Sequence, residues 1–258
     1  MKDRTDHSDF YLKLTLLGTG TIRSQDGRAC TSILLESSES TFLIDCGSGS
    51  WLRLHELKRD INHIDHIFLT HFHPDHISDL IPLLFSRYHA ISPPSHAIRI
   101  YGAPGLIKLY KGLSEAFGVW MNDSRFQVTE LTKPLSRISD FQVTTFALNH
   151  APESIGYRFK KAQKVISISG DSGPCPELIE LCRNADIAIL ECSFPDDQPD
   201  EHHLTPSEAG QIARQAGVKK LILSHFYPEV LRENIMLQAS RNFSGEIQLA
   251  EDGDSILL

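Results

Sequence analysis

Phe68-Leu69-Thr70-His71-Phe72-His73-Pro74-Asp75-His76 marks the point where an apolar run stops and a helical pattern starts. Residues 66–70 read as a buried strand. Residues 75–88 continue as a helix, with Ile77, Leu80, Ile81 and Leu84 on one face. In the extended part His71 and His73 are two positions apart, so both rings project to the same side. Pro74 prevents a helix from running back through the histidines. Asp75 and His76 then fall in the first helical turn, where a carboxylate also meets the positive end of the dipole. Four potential ligands thus converge in the six positions 71–76. Imidazole and carboxylate donors of this kind suit zinc first, and manganese or iron second.

Outward from this stretch, short β-branched runs alternate with amphipathic segments. Strands are expected at 12–17, 32–36, 41–45, 97–101, 141–148, 154–159, 165–169, Ile187–Glu191, Lys220–Ser224 and Glu246–Leu249, the last finishing the chain. Helices are expected at 51–58, Leu106–Phe117, 176–183 and 229–241. Thr205-Pro206-Ser207-Glu208 is a further helix start, with Thr205 as cap, Pro206 where its missing N–H costs nothing, and Glu208 closing a capping box. Ser92-Pro93-Pro94-Ser95 reads as a short loop, and no Pro/Gly/Ser-rich linker divides the chain. The strands form two groups, each interleaved with helices. An αββα sandwich, two mixed β-sheets packed face to face with helices outside, buries such near-continuous apolar strands. One domain over residues 1–258 is the expected organisation.

Composition narrows the function classes. At 258 residues the chain buries a sizeable core without disulfides. It carries 25 basic and 33 acidic residues, a formal charge of −8, which disfavours a surface built to coat long nucleic acid. No apolar run of about 18 residues suggests a membrane span. The polar start Met1-Lys2-Asp3-Arg4-Thr5-Asp6-His7-Ser8-Asp9 lacks the apolar core of a secretory signal. The five cysteines (Cys30, Cys46, Cys175, Cys182, Cys192) contain no C-x-x-C pair and read as reduced thiols, Cys46 and Cys192 buried at strand ends. A cytoplasmic protein without a membrane partner is the expectation.

One histidine cluster cannot fill two metal sites, so further ligands are sought where other strands end. Three polar residues follow apolar runs: His150 after 141–148, Asp171 after 165–169, and His225 after Lys220–Ser224. Each also has an ordinary reading, Asp171 as a loop cap and the histidines as buried polar tips. Together with the cluster they make seven donors, the number two metals sharing one bridging carboxylate use. His55, His63, His66, His89 and His96 show no shared pattern and read as surface or half-buried structural residues. Gly18-Thr19-Gly20 reads as a tight turn near the site.

The order H-x-H-x-D-H, then His150, then Gly170-Asp171-Ser172, then Leu223-Ser224-His225 resembles the metallo-β-lactamase superfamily. The resemblance runs from Leu16-Leu17-Gly18-Thr19-Gly20 to the last strand. Within the superfamily, the opening stretch followed by Leu80-Ile81-Pro82-Leu83-Leu84 looks like the ribonuclease Z branch, as do Ile100-Tyr101-Gly102-Ala103-Pro104-Gly105, Glu191-Cys192-Ser193 and His203-Leu204-Thr205. The resemblance implies an αββα fold with a dinuclear metal site. It implies that His71, His73 and His150 hold one divalent metal, that Asp75, His76 and His225 hold the other, and that Asp171 bridges. It also makes His203 the residue that protonates the leaving alkoxide, with Glu191 to orient it; the plain alternative is that His202 and His203 are solvated loop residues. Asp75 is expected to orient the hydroxide formed between the metals.

Two departures from ribonuclease Z shift the expected substrate. Thr21-Ile22-Arg23-Ser24-Gln25-Asp26-Gly27-Arg28-Ala29-Cys30 keeps Arg23 and Arg28 but not the proline-, lysine- and arginine-containing loop of that branch. The interval from His150 to Asp171 has room for a β-hairpin and not for a tRNA-gripping arm. Lys160, Lys161 and Lys164, with Lys219 and Lys220, are the basic clusters available to a polyanion, which needs several such contacts. The expected activity is therefore metal-dependent hydrolysis of a small phosphodiester, a cyclic phosphate or nucleotide. The alternatives are a lactonase or β-lactamase type of acyl hydrolase, or a tRNA 3′-end endoribonuclease. The oligomeric state, homodimer included, is left open.

Overall fold

The computed structural model describes residues 11–23, 27–92 and 96–258. The polar start, residues 24–26 of the glycine-flanked loop and residues 93–95 of the Pro-Pro loop lie outside the described residues. The elements run β1 (Leu12–Gly18), β2 (Ser32–Ser37), β3 (Thr41–Ile44), α1 (Ser50–Glu56), β4 (His66–Phe68), α2 (Pro74–Ile77), α3 (Leu80–Tyr88), β5 (Ile98–Gly102) and α4 (Leu106–Phe117). They continue with β6 (Phe126–Glu130), β7 (Leu135–Ile138), β8 (Phe141–Ala147), β9 (Ile155–Lys161), β10 (Lys164–Ile168), α5 (Pro176–Cys182), β11 (Ile187–Glu191), α6 (Pro206–Ala216), β12 (Lys220–Ser224), α7 (Ile235–Ser240), β13 (Glu246–Leu249) and β14 (Ser255–Leu257).

Two mixed seven-stranded sheets result, in the orders β14-β1-β2-β3-β4-β5-β6 and β13-β12-β11-β10-β9-β8-β7. In the first, β14 through β3 pair antiparallel and β3 through β6 parallel. In the second, β13 through β10 pair parallel and β10 through β7 antiparallel. The expected αββα class is the observed one. Period-two alternation explains the layering. Phe42, Ile44 and Phe68 join the core shared with the second sheet, whereas Leu43 and Ile67 join the core under α1, α3 and α4. Between the sheets, Phe42 meets Phe141 edge-on at 4.8 Å and Phe68 meets Phe159 edge-on at 5.3 Å.

Several expected elements differ in ways that have local causes. The single helix 75–88 is two, α2 and α3, because the Asp79 N–H leaves the helical ladder for the Cys46 carbonyl (2.9 Å). The Asp79 carboxylate in turn accepts from Gly49 N and Trp51 N at the start of α1. The helix expected at 229–241 is a 3₁₀ turn (Val230–Arg232) followed by α7, since Asn234 caps the N–H of Leu237 at 3.1 Å and starts a new helix there. The strand at 66–70 ends at Phe68, where Leu69 N and Thr70 N turn to Tyr101 O and the Asp45 carboxylate. Edge strands β6, β7 and β14 lacked an expected counterpart; their short mixed runs carry little apolar signal, and pairing to a neighbour supplies what composition does not. The capping box at Thr205 forms in both halves.

Strand direction positions the site. β8, β10, β11 and β12 all point the same way, and so do β1, β3 and β4. The C-terminal ends of the two sets meet: Ile155 N donates to Thr70 O at 2.9 Å and Phe226 N to Thr19 O at 3.1 Å. Polar residues just beyond these ends therefore gather in one crevice, the usual ligand position in α/β sheets.

Candidate metal centre

β4 delivers His71 and His73, the first turn of α2 delivers Asp75 and His76, and the ends of β8, β10 and β12 deliver His150, Asp171 and His225. Local backbone makes this possible. Gly170 has φ +63°, and a Cβ there would stand 2.6 Å from the Thr70 side chain; a Cβ on Gly47 would stand 1.9 Å from the Asp75 carbonyl oxygen. Asp45 and His225 adopt the left-handed region as non-glycines (φ +57° and +56°), strain of the kind functional sites retain.

The donor atoms fall into groups in which all lie within 4.8 Å of one another: His71, His73 and His150; Asp75, His76 and His225; His71, His76 and Asp171. Asp171 stands between them. Its Oδ2 is 3.8 Å from both His71 Nε2 and His150 Nε2, and its Oδ1 is 3.2 Å from His76 Nε2 and 3.3 Å from His225 Nε2. One carboxylate oxygen faces each histidine group. Asp75 Oδ2 lies 3.5 Å from His225 Nε2 and accepts from Ile22 N at 3.2 Å. His73 faces the same space through Nδ1, 3.1 Å from His150 Nε2.

Four imidazoles are held by the opposite nitrogen. The His76 Nδ1–H donates to Asp45 Oδ2 at 2.7 Å. The Thr70 hydroxyl donates to the same oxygen at 2.7 Å and so accepts from His71 Nδ1 at 3.1 Å. His225 Nδ1–H donates to Ser193 Oγ at 3.0 Å, whose own proton goes to Glu191. His150 Nδ1–H donates to the His202 carbonyl at 3.1 Å. Each arrangement turns Nε2 inward, the nitrogen a metal ligand uses.

Buried atoms without partners test whether divalent cations fit. Among the described residues, His71 Nε2 and Asp171 Oδ1 are buried and make no hydrogen bond, although a buried polar atom left unpaired is costly. Burial also pushes His71 down to about 2, so its Nε2 offers a lone pair at neutral pH. Burial opposes charge on His76, yet Asp171 and Asp45 outweigh it and hold the ring well above its ordinary value, so a cation there would displace the Nε2 proton. Burial likewise works against a charged Asp171, but the surrounding His225 and His76 keep it ionised. A crevice with several carboxylates and imidazole nitrogens turned inward fits divalent cations.

Comparison with known proteins shows the family. A family model described as "Beta-lactamase superfamily domain" matches residues 40–226. The chain belongs to the beta-lactamase superfamily. It is 30% identical over 246 residues to an uncharacterized protein of Mycobacterium tuberculosis, spanning 92% of this chain and 88% of that one. It is 28% identical over 269 residues to a ribonuclease Z of Mycobacterium sp. (strain KMS), spanning 93% of this chain and 94% of the relative. The metallo-beta-lactamase fold protein YhfI from Bacillus subtilis superposes with a TM-score of 0.86 at 26% identity, over 96% of this chain and 100% of that structure.

Beside the donor cluster of this superfamily member stands His203. Its Nδ1 is 2.9 Å and 3.1 Å from the two Glu191 oxygens, and its ring is 4.8 Å from that of His150. Burial lowers the affinity of the ring for a proton, but Glu191 overrides it and raises His203 to about 9. Glu191 is itself held by Ser172 N at 2.7 Å and Leu204 N at 3.2 Å. His203 is thus a tethered side chain of the crevice and not a solvated loop residue, whereas His202 is exposed, its Nε2 3.2 Å from Glu201. The structure also brings in Asp45, Thr70 and Ser193, which sequence reasoning left without a role. Asp45 satisfies the criterion used for His150, Asp171 and His225, a polar residue directly after an apolar run, and was absorbed into the strand expected at 41–45.

Proposed function

We propose that this chain is a dinuclear metal-dependent phosphodiesterase acting on a small phosphodiester, a cyclic phosphate or nucleotide. His71, His73 and His150 are assigned to one divalent cation, Asp75, His76 and His225 to the other, and Asp171 to both. The position of Asp171, one oxygen toward each histidine group, carries this reading. Zinc suits the donor set best. Bound there, two cations would lower the pKa of a water between them and offset the charge of the non-bridging phosphoryl oxygens. Asp75 would orient that water by accepting its hydrogen bond. His203 gives its Nε2 proton to the departing alkoxide, and Glu191 holds the ring in position and charged for the transfer.

The small-substrate reading rests on two observations. The segment between His150 and Asp171 is a plain hairpin of β9 and β10, and the charge of −8 offers little to a long polyanion. Cytoplasmic action as one domain suits the five free thiols, and among the described residues no helix is long and apolar enough to cross a membrane. The similarity to ribonuclease Z favours a second reading, tRNA 3′-end cleavage. A panel of bis(p-nitrophenyl) phosphate, cyclic nucleotides, lactones and precursor tRNA, assayed with metal-loaded protein, separates the readings. Turnover of the small diesters is expected. Turnover confined to lactones overturns the proposal, and turnover confined to precursor tRNA replaces it with the second reading.

A further inference from the structure

Two aromatic rings stand beside His203 and are used by nothing described above. Phe194 lies in the loop after β11, and Tyr227 lies two residues past His225. Their rings are stacked, 5.1 Å apart and inclined by 17°. The His203 ring meets Phe194 at 5.5 Å and 68° and Tyr227 at 6.1 Å and 71°, so it stands edge-on to both. Both rings are half-buried, leaving part of their surface to solvent.

We propose that the Phe194–Tyr227 pair is a stacking platform for a flat heteroaromatic ring carried by the leaving group, which makes the substrate a nucleotide diester. The inference rests on the diesterase reading, because His203 supplies its direction. A general acid must lie within hydrogen-bond reach of the oxygen it protonates, about 2.6–3.2 Å. The group attached to that oxygen therefore sits next to His203. The His203 ring adjoins His150 of the donor cluster at 4.8 Å. Phe194 and Tyr227 also adjoin His203, and Tyr227 reaches the His225 ring at 5.8 Å, so the pair flanks the donor cluster. A parallel aromatic pair offers a flat apolar surface, on which a nucleobase gains affinity by stacking and a small aliphatic alcohol gains little. The platform does not read base identity, because every base has a π-face; it selects for the presence of a base.

The test compares adenosine monophosphate with ribose 5-phosphate, ligands that share sugar and phosphate and differ in the base. Calorimetric titration of the zinc-loaded protein should show the nucleotide binding at least about tenfold more tightly. Phe194→Leu, which keeps bulk but removes the ring, should bring the two ligands within about threefold while metal content stays at the wild-type level. Tyr227→Leu should do the same if Phe194→Leu does not fold, and Tyr227→Phe should retain the preference. Equal binding of the two ligands by the wild type, or a preference that survives loss of either ring, overturns the platform. Hydrolysis of bis(p-nitrophenyl) phosphate, measured alongside, reports on the diesterase reading separately: a base preference without diester cleavage keeps the platform and removes the activity, and cleavage without a preference does the reverse.

Discussion

His203 and Asp45 illustrate two different ways a single side chain serves the crevice. On the proposed function His203 reaches the reacting groups directly, so His203→Ala should lower kcat on a small diester by about 10²–10⁴-fold while leaving the metal content of the protein intact. A loss of metal in that variant would place His203 among the ligands instead. Asp45 acts through others, because its carboxylate holds His76 directly and His71 by way of Thr70. Asp45→Asn should weaken metal binding about 10–100-fold, measured by competition with a chelating dye. The seven candidate donors were legible because each sits at a strand end or in the H-x-H-x-D-H run. Thr70 and Ser193 were not, since a hydroxyl that orients an imidazole leaves no pattern in the primary structure; only the folded distances assign it.

Elements were legible where a strong local signal agreed with the tertiary context. Helix α6 shows this, with its capping box formed from Thr205 and Glu208. Thr205→Ala should cost about 1 kcal/mol of stability in urea unfolding, with no change in the bound metal. Where the deciding partner lies far away in the chain, local reading stops short. The break between α2 and α3 depends on Cys46 and Gly49, some thirty residues upstream. Strand β4 hides another such case. His66, expected among surface or half-buried histidines, is 4% exposed and stacks on Phe42 at 5.0 Å. Burial pushes it down to about 4 from an ordinary 6.5. Between those values the unfolded chain binds a proton that the folded chain refuses. Stability contributed by neutral His66 is therefore whole above pH 6.5 and is lost as the pH falls toward 4, at most about 3 kcal/mol. His66→Phe should flatten that part of the stability–pH curve relative to wild type; parallel curves for the two proteins would show that His66 titrates normally.

The whole molecule works as two sheets whose strand ends converge. Neither sheet holds a complete donor set: the first provides His71, His73, Asp75 and His76, and the second His150, Asp171 and His225. The sheet grouping was readable from the order of apolar runs, but the meeting of their ends was not, because it is made by backbone bonds such as Ile155 N to Thr70 O. Asp171 comes from the second sheet and faces histidines from both, so cation binding should tie the sheets together and raise the unfolding temperature when zinc is added. The most direct measurement is metal stoichiometry by mass spectrometry on zinc-loaded wild type and Asp171→Asn, with unfolding followed in parallel. The account predicts two zinc ions per wild-type chain and one or fewer in the folded variant. A wild type that saturates at one ion, or a variant that still binds two as tightly, contradicts it.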